Sequence, residues 1–114
     1  MVRCGFALLV VNAAIAHAAD SAPRFEKDVA PIFERYCFQC HGEAVKMGKL
    51  DIRSLDAMLT GGSKGPVLVK GSADKSLLYQ RIADQSMPVG DRKLTAAEAV
   101  TVRDWINAGA PSDA

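Results

Sequence analysis

The chain has 114 residues, of which 49% are hydrophobic and 24% are charged, and its formal net charge is +1. This length favours a single domain, and the composition is ordinary for a globular protein. The small net charge gives no bulk electrostatic reason to expect binding to nucleic acid or to an anionic membrane.

The first 19 residues have the pattern of a secretory signal peptide. Arg3 supplies a positive start, and an apolar stretch follows from Phe6 to Ala16. Ala16-His17-Ala18 then fits the small-x-small pattern of a cleavage site. The alternative is a membrane anchor, but the apolar stretch is shorter than the roughly 20 residues that span a bilayer. We therefore predict cleavage of residues 1–19 and a bacterial protein that is periplasmic or otherwise exported.

Cleavage would change the inventory of metal-binding side chains. It would remove Cys4 and His17 and would leave a nearly neutral mature chain. Cys37, Cys40 and His41 would then be the only cysteines and the only histidine of the mature protein. Every expectation about a metal site below depends on this inventory.

A first helix is predicted after a flexible lead-in over residues 20–24. From Phe25 onward, apolar side chains recur with helical spacing on one face, namely Val29, Ile32, Phe33 and Tyr36. Pro31 is compatible with the first turn of this helix if Asp28 caps it. Otherwise Pro31 marks a kink between two short helical pieces.

Two shorter helices are predicted in the middle of the chain. Ser54 is a suitable N-cap for a helix from Leu55 to Thr60. Residues 65–71 form an apolar run, for which we expect irregular or briefly extended backbone and no real sheet. The next helix is predicted to begin after Ser72 or Asp74 as its cap.

The last predicted helix has the clearest boundaries. Thr95 and Glu98 form a capping box at its start, and Gly109 lies just past its end. Its apolar face consists of Ala99, Val102, Trp105 and Ile106. Together these elements predict an all-α domain over residues 25–111, with four to five short helices and little or no sheet.

The strongest chemical signal is the run Cys37-Phe38-Gln39-Cys40-His41, which has the C-x-x-C-H spacing of covalent haem attachment. Two thiols at this spacing can reach the two vinyl groups on one edge of the porphyrin, and the next side chain can reach the iron. We therefore predict one haem c, held by thioether bonds at Cys37 and Cys40, with His41 as an axial ligand of the iron.

Two interpretations of this motif without haem remain open. A disulfide or a thioredoxin-like redox pair is possible in an oxidising compartment, but it leaves His41 unexplained and no βαβ pattern surrounds the motif. A zinc site needs about four protein ligands. The mature chain would supply two cysteines and one histidine, so a carboxylate would have to complete the site.

A methionine is the expected second axial ligand, because His17 would leave with the signal peptide. Met47 lies so soon after His41 that the few residues between them would have to reach the opposite face of the haem. Met58 lies on a short predicted helix, where core packing is its favoured role. Met87 lies in a late loop, and Pro88 stiffens the backbone beside it. We predict Met87, with Met47, Met58 and an open or water-ligated iron as the alternatives.

Several segments of the chain together form a known pattern. They are Val29-Ala30-Pro31-Ile32-Phe33, Cys37-Phe38-Gln39-Cys40-His41-Gly42, Leu50-Asp51-Ile52-Arg53-Ser54, Gly61-Gly62-Ser63-Lys64-Gly65-Pro66, Lys75-Ser76-Leu77-Leu78, Met87-Pro88, and the stretch from Leu94-Thr95 through Trp105-Ile106-Asn107-Ala108-Gly109-Ala110-Pro111. In these segments the chain resembles class I cytochromes c and, more specifically, the planctomycete-type cytochrome c domain.

The resemblance extends from about Phe25 to Pro111 and departs at Val89, where that group often has a second proline. It implies the all-helical cytochrome c fold. It also implies haem attachment at the two cysteines of the motif, with the adjacent histidine and Met87 as the iron ligands.

His/Met ligation predicts electron transfer, because a thioether is a weak donor that favours ferrous iron. We expect a periplasmic electron carrier or a small redox subunit and not an enzyme. Its partner would be an unidentified dehydrogenase, oxidase or other cytochrome, and we expect no nucleic acid and no membrane span in the mature chain. The alternative is a haem-based sensor or a peroxidase-like protein in which Met87 dissociates from the iron.

Overall fold

The computed structural model describes residues 21–113, so the predicted signal peptide lies outside the described residues. The four α-helices in this range are α1 (Ala30–Tyr36), α2 (Leu55–Thr60), α3 (Leu77–Ala83) and α4 (Ala96–Asn107). A π-helical segment, Phe25–Val29, precedes α1, and a 3-10 turn spans Met47–Lys49. Within residues 21–113 there are isolated β-bridges but no strand, which confirms the predicted all-α class. None of the helices described is long and apolar enough to cross a membrane.

The opening helical region consists of two pieces that meet just before Pro31. The Asp28 carboxylate accepts a hydrogen bond of 2.9 Å from the backbone N–H of Arg24, so it stabilises the start of the π-helical piece. The α-helical piece begins at Ala30 and has Pro31 in its first turn, where a residue without an N–H loses no intrahelical bond. Of the two predicted roles for Pro31, the structure therefore shows the boundary between two short pieces.

The helix α2 has the predicted bounds. The Ser54 hydroxyl accepts a hydrogen bond of 3.1 Å from the backbone N–H of Ala57, as an N-cap does. The helix ends at Thr60, and the φ of the next residue, Gly61, is 81°. A Cβ atom on Gly61 would lie 1.9 Å from the carbonyl oxygen of Gly65, so only glycine fits this turn. The apolar run that follows has the irregular backbone expected for it.

The predicted cap of the third helix was wrong. The helix α3 begins at Leu77, and the residue before it is Ser76, not Ser72 or Asp74. The hydroxyl of Ser72 instead accepts a bond of 3.3 Å from the backbone N–H of Lys75 in the preceding turn. Ser76 is fully buried, and its hydroxyl donates to the Ser72 carbonyl and accepts from the Val69 N–H. Ser76 therefore connects the turn before α3 to the segment that contains Val69.

The capping box predicted for α4 is present. The Thr95 hydroxyl accepts a bond of 3.1 Å from the backbone N–H of Glu98, and the Glu98 carboxylate accepts one of 2.9 Å from the Thr95 N–H. These reciprocal bonds satisfy two of the amides that a helix start leaves unpaired. The helix consequently begins one residue after Thr95, as expected.

The core lies where α4 meets the opening helical region. Trp105 is fully buried, and its ring centroid lies 5.6 Å from that of Phe25 and 6.3 Å from that of Phe33. The Trp105 indole N–H donates to the carbonyl of Pro111, which also accepts from the Phe25 N–H. The three aromatic rings pack against one another, and the indole N–H has a hydrogen-bond partner. These contacts hold the first helical region, the last helix and the C-terminal segment together.

Candidate haem site

The structure has a cavity of about 700 Å³. All the residues predicted to bind the haem or its iron line it, namely Cys37, Cys40, His41 and Met87. Much of the remaining wall is apolar and includes Leu50, Ile52, Val67, Leu77, Leu78, Ile82 and Leu94. The volume lies within the range of about 300–1,000 Å³ that is typical of ligand and cofactor sites. The predicted site residues therefore come together around one apolar space.

One turn at the end of α1 displays the two thiols and the imidazole. The Cys37 carbonyl accepts hydrogen bonds of 3.2 Å from the Cys40 N–H and 2.9 Å from the His41 N–H. A Cβ atom on Gly42 would lie 2.3 Å from the Phe38 carbonyl oxygen. Only glycine therefore allows the backbone after the turn to pass so close to Phe38. The local spacing thus determines the arrangement of the motif.

Of the two cysteines in the described residues, Cys37 is half-buried and Cys40 is exposed. Burial, and secondarily the nearby Cys40, raises the pKa of the Cys37 thiol to about 12. A thioredoxin-like pair requires the opposite, because its attacking thiol has a lowered pKa. The cavity wall, as described, also contains no carboxylate to complete a zinc site. Neither interpretation without haem gains support from this geometry.

The imidazole of His41 has a buried nitrogen without a partner. Its Nδ1 atom makes no hydrogen bond to any residue in the described range. The backbone of His41 is fixed, because its carbonyl accepts a bond of 3.0 Å from the Ile52 N–H. Buried polar atoms are nearly always satisfied, so this nitrogen lacks a partner that the described part of the chain does not supply.

Of the three methionines in residues 21–113, two line the cavity and one does not. Met87 is 40% exposed at the cavity, and its N–H donates a bond of 3.1 Å to the Arg81 carbonyl in α3. Met47 is 57% exposed, and its N–H donates to the Cys40 carbonyl at 2.8 Å, so it lies beside the motif. Met58 is fully buried in the core. The predicted packing role of Met58 therefore agrees with its position.

Sequence reasoning missed the charged part of this cavity. Its wall includes four basic side chains, those of Arg35, Lys64, Arg81 and Arg92, and no acidic side chain of residues 21–113. They come from separate segments, so no local spacing in the sequence marks them. An apolar cavity with a basic wall suits an apolar ligand that carries carboxylates, and haem has two propionates.

The donor set, the orphaned imidazole nitrogen and the basic apolar wall all fit a haem, which Cys37 and Cys40 would hold covalently. An all-helical domain with such a site is similar to small cytochromes of the c type. Residues 37–89 match the family model described as Planctomycete cytochrome C. The match contains the motif and Met87, and it confirms the resemblance to the planctomycete-type cytochrome c domain. Such a domain implies haem c as the cofactor.

Two further comparisons gave no relatives. A search of curated proteins and a search of solved structures each returned no significant match.

Proposed function

We propose that the protein is an exported mono-haem c-type cytochrome that carries electrons between redox partners. The observation that carries this proposal is the single cavity lined by Cys37, Cys40, His41 and Met87. Two thiols, one imidazole and one thioether are the donors needed to attach a haem and to ligate its iron on both faces.

The roles of the individual residues follow from their chemistry. Cys37 and Cys40 would form the thioether bonds, and His41 and Met87 would be the axial ligands. The haem, when bound, supplies the redox-active iron. The chain's part is to fix both ligands and to surround the macrocycle with apolar side chains, which raises the potential by disfavouring the more highly charged ferric state. Ligands that stay in place in both oxidation states suit a carrier better than a catalyst.

The competing function is a haem sensor or a peroxidase-like protein that opens its iron by releasing Met87. The observation in its favour is the 40% exposure of Met87. Against it, the cavity wall contains no second histidine and no carboxylate among the residues described, so an acid or base for peroxide chemistry is missing. We therefore place electron transfer first.

The test uses holoprotein made with a c-type maturation system and compares it with the Met87→Ala and Met47→Ala variants. The carrier function predicts a reversible one-electron titration, the weak far-red band of ferric His/Met haem and slow binding of cyanide. The Met47 variant should keep all three properties, and the Met87 variant should lose the band. Rapid binding of cyanide and turnover of peroxide by the unmodified protein would instead support the sensor or peroxidase function.

A further inference from the structure

The chain just after Met87 is fastened to α1 by one side chain, that of Arg92. An Nη atom of Arg92 donates a hydrogen bond of 3.1 Å to the carbonyl oxygen of Arg35. The guanidinium carbon lies 4.9 Å from the ring centroid of Tyr36, which is within the range of a cation–π contact. In the described part of the chain no carboxylate pairs with Arg92. Its hydrogen bond and its ring contact are therefore both made with α1.

The surface that receives Arg92 is itself held rigidly. The Tyr36 hydroxyl donates a bond of 2.8 Å to the Glu98 carboxylate, and Arg35 forms an ion pair with the other oxygen of that carboxylate. Glu98 also belongs to the capping box of α4. We call Arg35, Tyr36 and Glu98 the Tyr36 platform. It joins α1 to α4 immediately before the haem motif, so its position is determined by two helices.

The Met87 segment has a second attachment on its other side. On that side the Met87 N–H donates to the Arg81 carbonyl in α3. On the side of Arg92, Lys93 Nζ donates to the Pro88 carbonyl. Met87, Pro88 and Arg92 all line the cavity. Between the two attachments, Val89 is 80% exposed and adds little packing. The position of the Met87 thioether therefore depends on α3 before it and, after it, on Arg92 together with Lys93 and the packing of Leu94 against the core.

We propose that Arg92 is a positioning residue, which holds the Met87 segment over the cavity by binding the Tyr36 platform. It acts through Met87 and so determines how readily the thioether is displaced from the iron. This inference rests on the proposed ligation by Met87. A segment fastened at both ends has little entropy left to lose when the ligand binds. Loss of one attachment raises the population of protein in which Met87 is displaced.

The experiment measures that population through a competing ligand, imidazole, in the ferric holoprotein. Arg92→Gln keeps a long polar side chain but loses the charge and most of the stacking. We expect it to bind imidazole about tenfold more tightly, because a cation–π contact and a charged hydrogen bond together stabilise by about that factor. The far-red band should weaken, and the reduction potential should fall. Arg92→Lys, which keeps the charge, should fall between the two proteins.

The matched control is Arg103→Gln. Arg103 is also a surface arginine, but it pairs only with the neighbouring Asp104 on α4. This variant should have the imidazole affinity, band and potential of the wild type. Haem content and helical content should be unchanged in every variant, which separates a change at the ligand from a general loss of structure.

The results separate this inference from the proposal beneath it. Wild-type protein that lacks the far-red band would overturn ligation by Met87 and the role of Arg92 with it. Wild-type protein that has the band, with an Arg92→Gln variant that binds imidazole no more tightly, would overturn the role of Arg92 alone. If Arg92→Gln does not accumulate, Tyr36→Leu removes the stacking surface instead and should show the same tightening; unchanged affinity there would also contradict the inference.

Discussion

Tyr36 donates a hydrogen bond of 2.8 Å to Glu98 and so joins the helix that precedes the haem motif to α4. The same carboxylate caps α4 and pairs with Arg35, and the Glu98 side chain is only 17% exposed. Burial alone would raise the pKa of Glu98, but the bonds from Thr95 and Tyr36 and the charge of Arg35 outweigh it, so the pKa is lowered. The ionised form of Glu98 therefore stabilises the fold.

The first prediction concerns acid stability and the variant Glu98→Gln, which keeps a capping-box residue but removes the charge. A carboxyl whose pKa is lowered by folding contributes stability above its unfolded pKa, 4.5, and loses it as pH falls through the lower folded value. We expect Glu98→Gln to be less stable by about 1 kcal/mol at neutral pH. The difference between the two proteins should shrink as the pH falls below 4.5 and vanish below the folded pKa of Glu98.

Urea unfolding of both holoproteins at neutral pH and at successive values below pH 4.5 measures this difference. Arg103→Gln again serves as a control, since its ion pair lies on the surface of α4 and should not affect the acid limb. A constant difference between Glu98→Gln and wild type at every pH would show that the charge of Glu98 is not the cause.

The second prediction concerns haem attachment. Cys40→Ala removes one of the two thiols displayed by the turn after α1 and leaves the other half-buried. We expect little or no stable holoprotein, because a single thioether leaves the macrocycle free to tilt away from His41. Haem staining of a denaturing gel, normalised to the amount of chain, measures the yield. A normal yield would mean that Cys40 is not an attachment site.

The third prediction separates the methionines by reduction potential. Met87→Ala should retain covalent haem and lower the potential by on the order of 0.1 V, within the roughly 0.8 V that axial ligands span. Met47→Ala, which truncates the other methionine at the cavity, should leave the potential nearly unchanged. The opposite ranking, measured by potentiometric titration, would transfer the ligand role to Met47.

The fourth prediction concerns the turn that follows α2. Gly61→Ala would place a Cβ atom 1.9 Å from the Gly65 carbonyl oxygen at a φ of 81°. We expect a loss of about 3 kcal/mol or more, because both the clash and the left-handed backbone oppose it. Gly71→Ala is the control, since its φ of 87° is similar but nothing lies within 4 Å of its Cβ.

Thermal unfolding of the two alanine variants should rank Gly61→Ala far below Gly71→Ala, for which a cost of about 1 kcal/mol is expected from the backbone alone. Equal losses of stability in the two variants would show that the turn can rearrange, and that the close approach of Gly61 and Gly65 does not contribute to stability.

The features that could be predicted from the sequence are those made within a few residues. The haem motif occupies one turn after α1, and Thr95 and Glu98 cap α4 across three residues. The cap of α3 could not be predicted, because the position of Ser76 depends on its hydrogen bond with Val69. Its place before a helix does not explain it. A local pattern does not contain that information.

The same limit explains why Arg92 has no sequence signal. Its partner carbonyl belongs to Arg35, which is 57 positions away along the chain. The four basic side chains of the cavity wall likewise become neighbours only when their separate segments fold around one space. Long-range placement, not residue type, makes them part of the site.

The central claim is that one haem is bound covalently at the C-x-x-C-H motif, and mass spectrometry of the protein made with a c-type maturation system tests it most directly. We expect an intact mass raised by one haem per chain, with the added mass on the peptide that contains Cys37 and Cys40. An intact mass without haem, or haem on a peptide that lacks these two cysteines, would contradict it.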